Sequence, residues 1–187
     1  KFLHPGPGFG GSCFPKDTKA FAALSRGEGL RMNTIEAAIE TNDIQKQIMV
    51  DKMKSLMGGN FNGKQIAVLG LAFKPNTDDI RDSASITMID SIIKGGGHIR
   101  AYDPIANQSM KNIFPDLNYF MSWEEAIKDA DGVAIMTEWN EFRGMSLSSL
   151  KSLLKSPIIL DTRNIFSIEN LEKNNFKYNN VGRSSIK

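Results

Sequence analysis

The sequence predicts an α/β protein. A helical segment with one long spine helix comes first, followed by an open, mostly parallel sheet with helices on both faces. Three observations carry this. From residue 64 onward, short apolar runs suited to buried strands alternate with helix-like segments. From Thr34 to Met57 there is neither glycine nor proline, leaving about 24 residues for uninterrupted helix. Near the start, Gly6, Gly8, Gly10 and Gly11 crowd together just before Cys13, the single cysteine. Such a stretch is a loop that needs unusual backbone angles or close approach of a ligand.

The elements follow in order. Residues 1–14 read as an extended or looped entry. Residues 15–26 read as a helix, with Pro15 at its start, Asp17 in its first turn, and Gly27 and Gly29 stopping it. Asn33 reads as the next N-cap, with Glu36 three residues on. Along that helix Ile35, Ala38, Ile39, Met49, Val50, Met53, Leu56 and Met57 share one face, while Ile44 and Ile48 point away from it. Two readings stay open: a helix packed on its own domain, or a spine joining domains or subunits. Gly58-Gly59-Asn60 ends it. Strands are expected at 64–70, 98–102, 118–120, 132–136 and 157–161, and helices at 84–94, 107–113, 122–129 and 146–154. The polar tail, 167–187, is expected to add one edge strand near Tyr178–Gly182.

Composition narrows the function. The chain has 187 residues, 41% of them hydrophobic, with 23 basic against 21 acidic side chains. No basic stripe argues for nucleic acid, and no apolar run approaches the roughly 18 residues of a membrane span. One cysteine excludes an internal disulfide framework and fits a reducing, cytoplasmic setting. No metal site is expected, and His98 reads as an ordinary strand residue. Beginning at Lys1, inside what looks like a functional segment, the chain reads as part of a longer protein.

Chemistry is expected in two places. Cys13 stands just before a helix start with Lys16 nearby, a setting that favours a nucleophilic thiolate, and Asp17 follows four residues on, where a carboxylate could position water. The second place is the row of strand ends, where open α/β sheets bind ligands. Phe73, Lys74 and Arg81 follow the first strand, Asp103-Pro104 the second, Thr137-Glu138-Trp139 the fourth, and Asp161-Thr162-Arg163 the fifth. Cations beside an aromatic ring suit a nucleotide diphosphate. The first of these loops matches neither G-x-G-x-x-G nor a P-loop.

The run Gly8-Phe9-Gly10-Gly11-Ser12-Cys13-Phe14-Pro15-Lys16-Asp17 closely resembles the catalytic-cysteine segment of the UDP-glucose/GDP-mannose dehydrogenases. These enzymes oxidise a nucleotide-sugar alcohol to a carboxylate. Gly70-Leu71-Ala72-Phe73-Lys74-Pro75 through Arg81-Asp82-Ser83 resembles the opening of the same family's UDP-binding domain. The resemblance implies a cysteine loop with a central helical, dimerisation domain over 1–57 and a Rossmann-like UDP-sugar-binding domain over 58–187. It implies NAD as cofactor and UDP-glucose as substrate, oxidised in two steps through a Cys13 thiohemiacetal and thioester, with Asp17 serving the water. Phe2, Leu3, His4, Pro5, Gly6, Gly10, Phe73, Lys74 and Arg163 would contact the nucleotide sugar, and Cys13, Lys16 and Arg81 the NAD. A homodimer through the central helix is implied. So is a missing N-terminal NAD-binding domain, with the lysine and asparagine that stabilise the oxyanion. The alternatives are a dehydrogenase of UDP-N-acetylmannosamine, UDP-N-acetylglucosamine or GDP-mannose, or a non-catalytic nucleotide-sugar-binding or oligomerisation module.

Overall fold

The computed structural model describes residues 4–185. Helix α1 (Phe14–Gly27) starts directly after Cys13, with Pro15 in its first turn, where a missing N–H leaves no bond unmade. Helix α2 (Asn33–Leu56) starts one residue before its expected first position. Met32 rather than Asn33 takes the cap position, and no side chain caps it. The Glu36 carboxylate accepts instead from Arg26 Nε at 2.7 Å and Arg31 Nε at 2.9 Å. Two guanidinium donors outcompete a backbone amide for that carboxylate, and they hold its carboxyl below the usual range. The buried stripe of α2 is Asn42, Lys46, Met49, Val50, Met53 and Leu56. Of the expected apolar face, Ile35 and Ile39 are half-buried and Ala38 is exposed, so its N-terminal half is open.

The sheet follows. Its elements are β1 (Gln65–Leu69), α3 (Ala84–Lys94), β2 (His98–Tyr102), α4 (Asn107–Lys111), β3 (Asn118–Tyr119), α5 (Trp123–Ile127), β4 (Gly132–Ile135), α6 (Asn140–Arg143), α7 (Leu147–Leu153), β5 (Ile158–Asp161), α8 (Ile168–Lys173) and β6 (Lys177–Asn180). The strands lie in the order β3-β2-β1-β4-β5-β6, and every pairing is parallel. Pleating sends alternate residues to opposite faces. Ile66 and Val68 of β1 therefore join the core under α2, α3 and α4, while Ala67 and Leu69 join the core under α5, α6, α7 and α8. Both faces are covered, which is why the strands read as continuous apolar runs. The connection reverses direction between β1 and β4, and this Rossmann-like order leaves a crevice at their carboxyl ends. Among the described residues no helix is long and apolar enough to cross a membrane.

Two elements go beyond the sequence reading. Helix α6 is a single turn inside the expected loop after β4. Helix α8 lies in the polar tail, capped by Ser167 Oγ accepting from Asn170 N at 3.3 Å, with Leu171 buried. Both are too short for a helical period to stand out.

Candidate functional site

The crevice is built from the turn leaving β1. Gly70 adopts φ +86°, and a Cβ there would lie 2.5 Å from Thr137 Cβ, so β1 exits against β4 only with glycine at this point. The buried Asp103 carboxylate, at the end of β2, then fixes the turn. Its Oδ2 accepts from Leu71 N (2.7 Å), Ala72 N (3.2 Å) and Trp139 Nε1 (3.1 Å). Its Oδ1 accepts from Ile105 N (2.9 Å) and Ala106 N (2.8 Å). Thr137 Oγ1 donates to Ala72 O at 2.6 Å and Ser85 Oγ to Leu71 O at 2.7 Å. Phe73 and Lys74 thus leave a turn whose backbone is held from the ends of β2 and β4 and from the first turn of α3.

Arg163, just after β5, crosses this crevice. Its Nε donates to Met136 O at 2.8 Å and its Nη2 to Phe73 O at 3.1 Å. Nη1 lies against Gly6, where an added Cβ would stand 2.9 Å away. Glu138 Oε2 is 3.2 Å from Arg163 Nε, an ion pair by distance. That nitrogen's one proton is directed at Met136 O, however, and Glu138 Oε2 is buried without accepting a hydrogen bond. Burial pushes the Arg163 guanidinium's value down, and the charge of Glu138 opposes this.

The glycine loop is laid over these turns and clasped from behind by α2. Asn42 accepts from Phe9 N (2.7 Å) and donates to Phe9 O (3.1 Å), and Gln45 Nε2 donates to Gly6 O (2.8 Å). The Lys46 stem packs at Gly8. In front, Gly11 N donates to Arg81 O at 2.7 Å, and Gly10 and Gly11 rest on Asp82 and the Phe73 ring. Phe9 and Phe14 meet edge to face, their centroids 4.7 Å apart, which braces the return of the loop. Cys13 emerges exposed at the cap of α1, with Ser12 Oγ 3.6 Å from its sulfur.

The structure therefore brings Gly6, Gly10, Phe73 and Arg163 together and sets Cys13 at the edge of the same group. His4 and Pro5 are exposed at the loop's start, and Phe2 and Leu3 lie outside the described residues. Phe73's ring is covered by the glycine loop, and Lys74 Nζ sits 5.2 Å from its centroid. Lys74 forms no ion pair among the described residues. Arg81 is gripped by Asp79, with Nε on Oδ1 and Nη2 on Oδ2, both at 2.9 Å. This bidentate contact holds the Asp79 carboxyl below its usual range and the Arg81 guanidinium above its own, to which the nearby Cys13 also contributes. Asp17 shares the first turn of α1 and is ion-paired to Lys16 at 3.1 Å, with both side chains mostly in solvent.

The usual dinucleotide point of such a sheet is the N-terminus of the helix after β1. Ser83 caps α3 there, and the cysteine loop covers the turn before it. The cations expected to meet NAD, Lys16 and Arg81, are exposed, Lys16 paired with Asp17 and Arg81 with Asp79.

Sequence reasoning missed Asn42 and Lys46, and it read Asp103 only as a strand end. The signal for the first two was present. Extending the buried stripe Met53, Met49 back along α2 lands on Lys46 and Asn42, polar residues where an apolar helix face would continue. Asp103 had no signal beyond its strand end.

The description "UDP-glucose/GDP-mannose dehydrogenase family, UDP binding domain" matches residues 67–168, and the same family's central domain matches residues 1–44. This chain belongs to the UDP-glucose/GDP-mannose dehydrogenase family. It is 40% identical to a UDP-glucose 6-dehydrogenase of Rhizobium meliloti, over 98% of this chain and 42% of that protein. It is 42% identical to the UDP-glucose 6-dehydrogenase TuaD of Bacillus subtilis, over 100% of this chain and 41% of that protein. The chain thus spans about two fifths of the length of these relatives. A UDP-glucose dehydrogenase structure from Pyrobaculum islandicum superposes with a TM-score of 0.79 at 30% identity, covering 88% of this chain and 37% of that one. A Methanosarcina mazei structure titled as an NDP-N-acetyl-D-galactosaminuronic acid dehydrogenase shares the fold, with a TM-score of 0.84 at 24% identity over 97% of this chain and 40% of that one.

Proposed function

We propose that this chain is the cysteine-loop and nucleotide-sugar part of an NAD-dependent UDP-glucose 6-dehydrogenase, which converts UDP-glucose to UDP-glucuronate. One observation carries the reading: the loop bearing Cys13 is docked across the carboxyl ends of β1 and β5, through Gly11 on Arg81 and Gly6 on Arg163. A ligand held at the strand ends therefore has an exposed thiol within its own length. The relatives at 40% and 42% identity, named as UDP-glucose 6-dehydrogenases, support the choice of sugar. In this reading residues 1–57 serve catalysis and dimerisation, and residues 58–187 hold the UDP-sugar.

The diphosphate charge is taken by Lys74, which has no competing ion pair among the described residues, and by Arg163, whose Nη1 lies against Gly6. His4, Pro5, Gly6 and the Gly10 turn line the sugar's path to Cys13. NAD, when bound, would supply the hydride acceptor for both oxidations, and Lys16 and Arg81 are the residues of this chain that would meet its charge. The Cys13 sulfur adds to the C6 aldehyde carbon as a thiohemiacetal, and after the second oxidation it holds the acyl group as a thioester. Water then cleaves the carbon–sulfur bond, returning the thiol and releasing the carboxylate. Asp17 turns from Lys16 to position that water, a small movement for two exposed side chains. Ile44 and Ile48, exposed on α2, form the centre of a homodimer contact. A cytoplasmic setting fits a free thiol nucleophile.

The test uses the full-length protein. Cys13→Ser should nearly abolish UDP-glucuronate formation, and Asp17→Asn should accumulate a covalent adduct visible by intact mass spectrometry. A serine variant that keeps most of its turnover would sink the mechanism. Preference for GDP-mannose or an N-acetylated UDP-sugar in a substrate panel would overturn the choice of sugar.

A further inference from the structure

Phe9 lies in a loop, outside any strand, yet both its backbone groups are paired. Asn42 Oδ1 accepts from Phe9 N at 2.7 Å, and Asn42 Nδ2 donates to Phe9 O at 3.1 Å. One side-chain amide thus reproduces the two bonds that an antiparallel strand exchanges with a residue, and it fixes the peptide planes on both sides of Phe9. Asn42 is 8% exposed, within the buried stripe of α2. Its neighbours on that face hold other parts of the loop: Gln45 Nε2 donates to Gly6 O, and the Lys46 stem packs at Gly8. Of these three, Asn42 grips the loop nearest Cys13. Between Phe9 and Cys13 run Gly10 and Gly11, the residue type with most backbone freedom. Beyond Cys13, the Phe14 ring meets the Phe9 ring edge to face at 4.7 Å. Phe9 is therefore the near anchor of the cysteine turn and, through Phe14, a brace on its far side. Both roles depend on the Asn42 amide.

Covalent capture makes a demand on that anchor. The first oxidation yields an aldehyde, and addition of the Cys13 sulfur to its carbon competes with its release. A sulfur displaced by about 1 Å captures poorly, since such a misplacement can cost roughly a hundredfold in rate. On the two-step oxidation read above, we propose that Asn42 is a positioning residue that holds Cys13 over the aldehyde, so that its loss lets the aldehyde escape between the two oxidations. A merely structural amide would lower stability and leave the products unchanged.

The test uses the full-length protein with UDP-glucose and NAD, and follows NADH, UDP-glucuronate and aldehyde trapped by a hydrazine. Complete oxidation of the alcohol to the carboxylate removes four electrons and gives two NADH per carboxylate, whereas each escaped aldehyde gives one NADH and no carboxylate. Wild type should stay near two. Asn42→Ala should lower the rate of carboxylate formation about ten- to a hundredfold and raise the ratio to about three or more, one aldehyde lost for each carboxylate made. Its affinity for UDP by calorimetry should stay within about threefold of wild type. Amide exchange across the Gly6–Cys13 peptide should quicken about tenfold as two hydrogen bonds are lost. Asn42→Asp keeps the volume and the acceptor but, once ionised, cannot donate to Phe9 O. It should show the same rise in ratio, and it carries the test if the alanine variant fails to fold. The control is Asn180→Ala, which removes another buried amide, one that accepts from Arg183 N at 2.9 Å and donates to Ser184 O at 2.7 Å. It should lower the thermal midpoint and keep the ratio at two. A ratio of two in the Asn42 variants would overturn the proposal, as would unchanged amide exchange or an equal rise in Asn180→Ala. No UDP-glucuronate from wild type would overturn the two-step reading itself, and this proposal with it.

Discussion

Gly10→Ala adds one carbon at the seam between the cysteine loop and the sheet. That carbon would stand 2.6 Å from Asp82 O, 2.9 Å from Asp82 C and 3.0 Å from Phe73 Cβ. Ordinary contact begins near 3.4 Å, so the loop must lift by about 0.8 Å or the 80–83 turn must yield. That turn is closed by Ser83 N donating to Ile80 O at 3.0 Å, and the atoms in the way are backbone, with no rotamer to escape into. Gly10 is not among the positive-φ glycines, so the cost is steric rather than conformational. Overpacking of this kind costs about 1–3 kcal/mol, and lifting the loop also strains the adjacent Gly11–Arg81 bond, worth about 1 kcal/mol. Catalysis should suffer more than folding, because a misplacement near 1 Å can cost roughly a hundredfold in rate. The assay is kcat and KM for UDP-glucose in the full-length protein, with the thermal midpoint and the alkylation rate of Cys13 measured beside them. The control is Gly27→Ala at the end of α1, where nothing lies within 4 Å, and which should leave all four quantities near wild type. Wild-type turnover and midpoint in Gly10→Ala would refute the docking of the loop on this turn.

Two further outcomes follow from the same geometry. Lys74→Ala should weaken UDP-glucose roughly ten- to a hundredfold by calorimetry, from a charge-assisted contact of about 1.5–3 kcal/mol, while Cys13→Ser leaves that affinity near wild type; an unchanged affinity in Lys74→Ala would remove Lys74 from the site. Replacing Ile44 and Ile48 together by lysine should convert a dimer to monomers in light scattering, because the pair is 51% and 39% exposed on α2 with no covering element among the described residues; a wild-type monomer at high concentration would contradict the contact.

Local signals by themselves determined the run of strands and the spine helix. Lys64–Gly70, His98–Tyr102 and Gly132–Met136 are short apolar or β-branched stretches set off by glycine, proline or polar turns, and a sheet covered on both faces needs such stretches. Pro15, Gly27 and Gly58 likewise marked helix ends that need no distant partner. The motif around Cys13 and the Phe73–Lys74 pair was legible because its residue types sit close together in the chain. What the tertiary structure alone decided is which groups meet across long separations. Phe9 is clasped by Asn42, Arg163 reaches Phe73, and Gly6 faces Arg163 because the sheet order sets β1, β4 and β5 side by side. Periodicity reports which face of an element is apolar, and it is silent on what that face touches. Hence Asn42 and Lys46 went unread on the helix face, although they are buried to hold the glycine loop. Hence too Glu36 read as half of a capping box, although two arginines from outside α2 took its carboxylate. Charge pairing in the loops has the same origin: Arg81 chose Asp79 over Asp78 and Asp82 because the turn presents both its oxygens to the guanidinium fork, a match of geometry that composition does not contain.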